Sequence, residues 1–352
     1  MAQSNLLRVF CVFSIFAALC VFFLKSNLKN SISEIIENNR ERDDHLRPFR
    51  SNFVRIMIPL LNSPEFVEWH VRCYQKHMLE RFELYIFNDG FTFDDQKRLS
   101  GMNVRQEIAT SCITAQQKYP TVKLNCINIP PNIHAANSLD AKRCFETTQY
   151  IYDNYIQNSS NSTLTLFHDS DIFLFKATSI WKQILNSKIA FIPQERGDNV
   201  LYMWNGFIVF NHELLKNEEK LSFEGGVVEG QSTDVGGKTH YWLLRLKQKC
   251  IQQERSAVAQ TFIVCAHTYL SQYIPQISIY SKEFLNAIPN TFLDKKQHEF
   301  LVEDMTLLGR PWGQFLGQNF EWVHLRGAGN WQGFDQEIIN QRKKNAFNLL
   351  LN

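Results

Sequence analysis

Apolar runs and amphipathic segments alternate from residue 53 onward. Phe53 to Leu61 is an almost continuous apolar run that predicts a buried strand. Ser63-Pro64 predicts the start of a helix, with the serine as its cap, and the helix is expected to end near Met78. Glu83 to Phe87 predicts a second strand, which ends at the turn signal Asn88-Asp89-Gly90. Strand, helix and strand at this spacing predict a βαβ unit with parallel strands.

The same alternation continues toward the carboxyl terminus. Further strands are predicted at Val122–Ile129, Leu164–Phe167, Ala190–Pro193 and Phe207–Phe210, and helices at Leu139–Ile156 and from about Thr239. This order predicts an α/β fold with a mixed, mainly parallel sheet flanked by helices. Ligands of such sheets bind at the carboxyl ends of the strands.

The amino-terminal region has a different pattern. Val9 to Leu24 contains no charged residue and spans about 24 Å as a helix. The run ends in Phe22-Phe23-Leu24 without a small-residue cleavage site, which favours an uncleaved membrane anchor over a signal peptide. Arg8 before the span is balanced by Lys25 and Lys29 after it, so flanking charge does not decide the orientation. We expect a tail at 1–8, a transmembrane signal anchor at 9–24, a polar stem at 25–50 and a catalytic domain at 51–352.

Other features favour a lumenal position for the domain. Asn158 and Asn161 begin two adjacent glycosylation sequons in a polar stretch. Six cysteines lie outside the anchor, which permits disulfides, and buried free thiols are the alternative. These six are Cys73, Cys112, Cys126, Cys144, Cys250 and Cys265.

Composition excludes several classes of protein. The 352 residues are 44% hydrophobic, 13% aromatic and 20% charged, which is sufficient for a large core and excludes disorder. The formal net charge of +2 is too balanced for a protein that binds by neutralising phosphate backbones, so nucleic acid is not an expected partner.

The strongest chemical signal is a pair of acids after the predicted strand at 164–167. Asp169 and Asp171 are separated by one residue where an apolar strand ends. Two carboxylates at this spacing can bind one hard divalent cation, with Mg²⁺ or Mn²⁺ as the expected cofactor and a diphosphate completing the coordination. Asp-x-Asp alone is a weak pattern, and turn-forming aspartates are the alternative.

With an acidic pair after an apolar strand, the chain resembles nucleotide-sugar glycosyltransferases of the GT-A type. The predicted anchor and stem are similar to the plan of Golgi type II transferases. In that class the Asp-x-Asp pair holds the metal that bridges the donor diphosphate, and Asp169 and Asp171 match it. The segment around Glu68-Trp69 is similar to families in which an acidic turn follows the second strand. The resemblance implies that Asp89 approaches the nucleoside.

Two later stretches resemble glycogenin-like and lipopolysaccharide galactosyltransferase families. The first, LYMWNGFIVFN, is similar to their Phe-Asn-Ser/Ala-Gly strand motif at Asn205 and Gly206, although one residue of the motif is missing between the two. The second, WVHLRGAGNW, matches at His324 and Gly327, and the resemblance implies that His324 is a third metal ligand. Asn330 replaces the family's lysine and no proline precedes Trp331, so Arg326 or Lys142 is expected to pair with the diphosphate instead.

The resemblance implies transfer of a hexose or pentose from a nucleotide-sugar donor to a glycan, glycoprotein or glycolipid acceptor. It also implies a single-pass protein of the Golgi or endoplasmic reticulum membrane that pairs into homodimers. Asp234, in a glycine-flanked turn, can act as the acceptor's base in an inverting reaction or orient the sugars in a retaining one. Glu229 and His240 are competing bases. The alternative for Asp234 is a turn-forming aspartate without a catalytic role. The alternative for Lys142 is a lysine on a solvated helix face.

Two other functions are alternatives to the transferase. A haloacid-dehalogenase-type phosphatase also carries Asp-x-Asp after a strand, but that class expects Thr or Val where this chain has Phe173. A non-catalytic lumenal carbohydrate-binding or scaffold protein is the other alternative. Metal-dependent breakdown of nucleotide sugars distinguishes the transferase from both.

Overall fold

A computed structural model describes most of the chain after residue 52. The described residues are 53–90, 92–93, 99–100, 102–134, 140–157, 159, 164–184, 187–197, 199–215, 220–254, 271–273, 276–278, 295–308, 313–316, 321–326 and 335–351. The chain divides into two units, 1–50 and 51–352, and every described residue belongs to the second. The expected tail, anchor and stem lie outside the described residues. Within the described ranges, none of the helices has the length and apolar content needed to cross a bilayer.

Fifteen strands and eight α-helices are numbered in chain order among the described residues. The strands are β1 (Phe53–Leu60), β2 (Arg81–Asn88), β3 (Thr92–Phe93), β4 (Leu99–Ser100), β5 (Lys123–Asn128), β6 (Leu164–His168), β7 (Ile172–Leu174), β8 (Ile189–Arg196), β9 (Val200–Asn211), β10 (Gly226–Val228), β11 (Gln231–Thr233), β12 (Ser271–Tyr273), β13 (Gln276–Ser278), β14 (Gly313–Leu316) and β15 (Trp322–Leu325). The helices are α1 (Phe66–His77), α2 (Met102–Lys118), α3 (Asp140–Ile151), α4 (Ile180–Ile184), α5 (His212–Leu215), α6 (Thr239–Glu254), α7 (Lys295–Leu308) and α8 (Gln336–Leu351). A π-helical turn, Tyr152–Ile156, continues α3.

The central sheet has seven strands in the order β12-β8-β9-β6-β1-β2-β5. The neighbours β6, β1, β2 and β5 are mutually parallel, and β12 is parallel to β8. The predicted βαβ unit is confirmed, because β1 and β2 pair in parallel on either side of α1. The chain is therefore a mixed α/β protein with a mainly parallel sheet, as expected.

One strand of the central sheet makes it mixed. Strand β9 is antiparallel to both β8 and β6, and only residues 197–199 separate β8 from β9. A connection this short cannot carry a parallel crossover, which needs a dozen or more residues. The antiparallel pairing places β9 directly beside β6, the strand that precedes Asp169.

A second sheet supplies the other wall of the same region. Its four strands have the order β13-β14-β15-β7, and all three pairings are antiparallel. Strand β7 follows Asp171 immediately, so this sheet starts where the central strand β6 ends. His324 of β15 is the register partner of Ile172 in β7.

The core forms two main clusters on the central sheet, and one of them lies between the sheet and helix α1. The helix buries Phe66, Val67, Val71 and Tyr74, each at most 1% exposed, and these residues follow a helical repeat. Their rings and methyl groups pack on β1 and on Phe173 of β7. Burying a side chain of this size stabilises the fold by about 2 kcal/mol.

The predicted serine cap of α1 is wrong. Ser63 has a positive φ of 58°, and its side chain does not bond to the helix's first amides. Its hydroxyl instead donates to Asn62 and accepts a hydrogen bond from Lys343 of α8. The turn is closed by the Ser63 carbonyl, which accepts from the Phe66 amide at 3.0 Å.

Candidate active site

The Asp169–Asp171 turn connects the two sheets. Strand β6 ends at His168, and the next three residues lead directly into β7. The Asp169 amide donates to the Gly206 carbonyl of β9 at 3.0 Å, and the Asp171 carbonyl accepts from the Leu325 amide of β15 at 2.7 Å. The turn is therefore held by both sheets, and the Asp171 side chain keeps 16% of its surface exposed.

His324 lies against this turn. Its Nε2 atom is 3.4 Å from Oδ1 of Asp171, and its Nδ1 atom is 3.0 Å from Oε1 of Gln314 in β14. Because an amide oxygen only accepts, Nδ1 carries the proton, and Nε2 of a neutral ring presents its lone pair to the carboxylate. Two facing acceptors at this distance suit a shared cation or proton.

Three carboxylates share this region. Burial first, and then the charges of Asp171 and Asp234, raise the pKa of Asp169 to about 7 against the opposing effect of His324. Asp234 itself is exposed and follows β11, and its Oδ1 atom accepts from the Val235 amide at 2.8 Å. The structure therefore brings Asp169, Asp171, His324 and Asp234 into one electrostatic environment.

Glycine is required at two positions beside this cluster. Gly236 has φ 97°, and a β-carbon there would lie 2.2 Å from the Met203 carbonyl of β9. A β-carbon at Gly206 would lie 2.2 Å from the Trp204 indole. The Trp204 ring thus folds over Gly206, and its centroid is 5.1 Å from that of His324. This places a partly exposed aromatic face next to the acidic cluster.

Asn205 lies under the cluster and is 4% exposed. Its side-chain amide is 3.6 Å from the Cys144 sulfur of α3. The charges of Asp169 and Asp234 act on Cys144, and burial raises the pKa of its thiol. Asn205 and Gly206 therefore lie next to the acidic cluster.

Asp89 does not face an open surface. Its side chain is fully buried, Arg143 and His134 donate to Oδ1 at 2.7 and 3.0 Å, and Thr147 donates to Oδ2 at 2.6 Å. The carboxylate is therefore already hydrogen-bonded within the protein, and its contact with a nucleoside stays a prediction. Lys142 is exposed and lies 4.0 Å from Glu146, one turn along α3.

Of the remaining expected site residues, Arg326 is exposed and follows β15. Gly327, Asn330 and Trp331 lie outside the described residues, as do the sequon asparagines Asn158 and Asn161. Among the six cysteines, Cys112 of α2 and Cys126 of β5 form a disulfide, and Cys73 and Cys144 are free thiols.

Two buried histidines lie behind the turn, and neither was predicted from the sequence as a site residue. His70 donates from Nε2 to the Ser170 carbonyl at 2.9 Å, and His168 bonds from Nδ1 to the Asp169 carbonyl at 2.8 Å. A signal was present, because His168 directly precedes the acidic pair and His70 follows Glu68-Trp69.

No group of three or more His, Cys, Asp or Glu side chains in the described ranges is already arranged to hold a metal ion. Asp171 and His324 nevertheless have a suitable separation for two ligands of one ion. Ligand atoms about 2.1 Å from a metal lie about 3 to 3.5 Å apart when adjacent.

No family model matches the chain, and no curated protein matches it in sequence. Comparison of structures finds solved glycosyltransferases. The galactosyltransferase LgtC, in complex with donor and acceptor sugar analogs, matches with 8% identity over 62% of this chain and 72% of that chain, at a TM-score of 0.31. The mannosyltransferase PcManGT from Pyrobaculum calidifontis, in complex with GDP-Man and Mn²⁺, matches with 9% identity over 84% of each chain, at a TM-score of 0.31. GlyE from Streptococcus pneumoniae TIGR4 matches with 11% identity over 62% of this chain and 44% of that chain, at 0.28. These values are too low to assign the chain to a family.

Proposed function

We propose that this protein is a metal-dependent glycosyltransferase of the GT-A type that transfers a sugar from a nucleotide-sugar donor to a glycan, glycoprotein or glycolipid acceptor. One observation carries the proposal. Asp169 and Asp171 stand at the carboxyl end of the parallel strand β6, where ligands of such sheets bind, and a distant strand brings His324 to 3.4 Å from Asp171.

The donor set fits Mn²⁺ or Mg²⁺. Asp169, Asp171 and His324 would supply two carboxylates and one imidazole, a set more typical of Mn²⁺ than of Mg²⁺ because of its nitrogen ligand. Nδ1 of His324 is fixed by Gln314, which leaves Nε2 for the ion. When bound, the metal would neutralise the charge that develops on the departing diphosphate.

The chain's own groups would orient the two sugars. The Trp204 face beside His324 suits stacking against the apolar face of a sugar ring. The exposed carboxylate of Asp234 can accept a proton from the acceptor hydroxyl if the reaction inverts the anomeric centre, or orient the sugars if it retains it. The charge of Asp234 acts on Asp169, whereas the ring of His240 is bonded to the Leu201 carbonyl, so we favour Asp234 over Glu229 and His240.

Two exposed cations are candidates to contact the donor diphosphate. Arg326 is two residues after His324 in the chain, so its backbone lies close to this candidate metal ligand. Lys142 of α3 is the second candidate, with 57% of its side chain exposed. Either residue could take the role of the family's lysine, whose position in this chain is occupied by Asn330.

We further propose that the domain at 51–352 is lumenal and is held by the segment at 9–24 in a Golgi or endoplasmic reticulum membrane. The uncharged run at 9–24 and the two sequons support this proposal. The Cys112–Cys126 disulfide supports it further, because disulfides persist mainly in oxidising compartments.

The test uses the full-length chain, a panel of nucleotide sugars, and Mn²⁺, Mg²⁺ or EDTA. We expect metal-dependent release of a nucleoside diphosphate from one donor and its loss with EDTA. Asp234→Asn should lower transfer at least 100-fold while Mn²⁺ binding stays within twofold. Hydrolysis of phosphate monoesters with no donor turnover would favour a phosphatase. Glycan binding without either activity would favour a carbohydrate-binding protein.

A further inference from the structure

Every backbone carbonyl of the Asp169–Asp171 turn accepts a hydrogen bond. The Asp169 carbonyl accepts from His168 Nδ1 at 2.8 Å and from the Ile172 amide at 3.2 Å. The Ser170 carbonyl accepts from His70 Nε2 at 2.9 Å, and the Asp171 carbonyl accepts from the Leu325 amide at 2.7 Å. Two of these four donors are histidine side chains.

His70 reaches the turn from helix α1. It is fully buried, and its ring stacks on Phe173 with centroids 4.5 Å apart. Burial, together with the nearby His168, holds its pKa well below 6.5, so the ring is neutral and has one N–H. Since a carbonyl only accepts, that N–H is on Nε2. The whole donor capacity of His70 is therefore used on the Ser170 carbonyl.

His168 is oriented by the same helix. Tyr74, one turn after His70 on α1, lies with its hydroxyl 2.5 Å from His168 Nε2. Because His168 Nδ1 donates to the Asp169 carbonyl, Nε2 is the acceptor, and the Tyr74 hydroxyl donates to it. Burial raises the Tyr74 pKa well above 10, which keeps this donor protonated.

We propose that His70 and the His168–Tyr74 pair are positioning residues that fix the Asp169–Asp171 backbone so that both carboxylates can bind one divalent cation. None of the three side chains is exposed, so they would act through the turn and not on the substrate. This inference rests on the proposed metal-dependent function. It assigns helix α1 a part in metal binding in addition to its part in the core.

The test compares two substitutions of His70 in the full-length chain. His70→Phe keeps a ring on Phe173 but removes the donor, whereas His70→Gln keeps an N–H donor at a position close to Nε2. Tyr74→Phe removes only the hydroxyl. Mn²⁺ affinity is measured without donor sugar, from the electron paramagnetic resonance signal of free Mn²⁺, and thermal unfolding is measured in EDTA.

We expect His70→Phe to weaken Mn²⁺ binding about tenfold, His70→Gln to remain within threefold of the wild type, and Tyr74→Phe to weaken binding about threefold. Wild-type affinity in both His70→Phe and Tyr74→Phe would overturn the positioning role, as would equal weakening in His70→Phe and His70→Gln. If His70→Phe does not fold, the Tyr74→Phe result decides. A wild-type chain that turns over a donor without metal would instead overturn the metal-dependent function, and the positioning role with it.

Discussion

His324 Nε2 lies 3.4 Å from Asp171 Oδ1, and the two residues meet only because β15 pairs with β7. The register places His324 opposite Ile172, one residue after Asp171. Nothing between the two positions in the sequence indicates this contact. The contact adds His324 to the Asp169–Asp171 pair and so gives a candidate site of three residues.

Asp171→Asn should abolish metal-dependent donor turnover, with a loss of at least 100-fold and a matching loss of Mn²⁺ affinity. The amide keeps the shape of the side chain but removes the charge that a hard cation requires. Turnover and Mn²⁺ binding are measured together, and the unfolding temperature in EDTA checks the fold. Asp153→Asn is the matched control, because Asp153 pairs with Lys220 outside the acidic cluster. A fully active Asp171→Asn would remove the metal assignment.

Gly206→Ala should destabilise the protein by about 1–3 kcal/mol and lower donor turnover. The new methyl group would lie 2.2 Å from the Trp204 indole, which must then move away from His324. Urea unfolding and donor turnover check the two effects. Gly230→Asn is the control, because no atom lies within 4 Å of a β-carbon there and asparagine tolerates the left-handed backbone. Equal behaviour of the two variants would show that the Trp204 contact has no consequence.

Replacing Cys112 and Cys126 together by alanine should lower the free energy of unfolding by about 2–4 kcal/mol. The bridge closes a loop between residues 14 apart and so restricts the unfolded chain. Dithiothreitol should produce a similar loss in the wild type and almost none in the double variant. Cys73→Ala gives a reducing-agent control, since Cys73 is a buried free thiol. An insensitive wild type would mean that the bridge does not form.

Stability in EDTA should fall as the pH drops from about 6.5 to 4. Burial lowers the pKa of His212 to about 4, so the folded state binds fewer protons than the unfolded state in this window. Stability is therefore full above the unfolded-state pKa and is lost as the pH falls toward the folded-state pKa, with a loss on the order of 2–3 kcal/mol from this residue. His212→Gln should flatten the slope while still bonding to Thr165. An unchanged slope in urea titrations across this range would contradict the assignment.

Much of the fold was predictable from local patterns. The strand at Phe53, the helix after Pro64, the βαβ unit and the acidic pair all rest on hydrophobic periodicity or on turn residues adjacent in sequence. Helix α2 was missed because its buried face is only weakly apolar. That face is formed by Ile108, Cys112 and Ala115, which have little contrast with their neighbours.

By itself the sequence determined most strands of the central sheet and the helices α1, α3 and α6, and that two carboxylates follow a buried strand. The tertiary structure alone decided the antiparallel β9 strand, the burial of Asp89 against Arg143, and the hydrogen bond from His70 to the Ser170 carbonyl. The physical reason is that hydrophobic periodicity records which face of an element is buried. It does not record which distant segment covers that face, and a polar side chain acquires its partner only when that segment is in place.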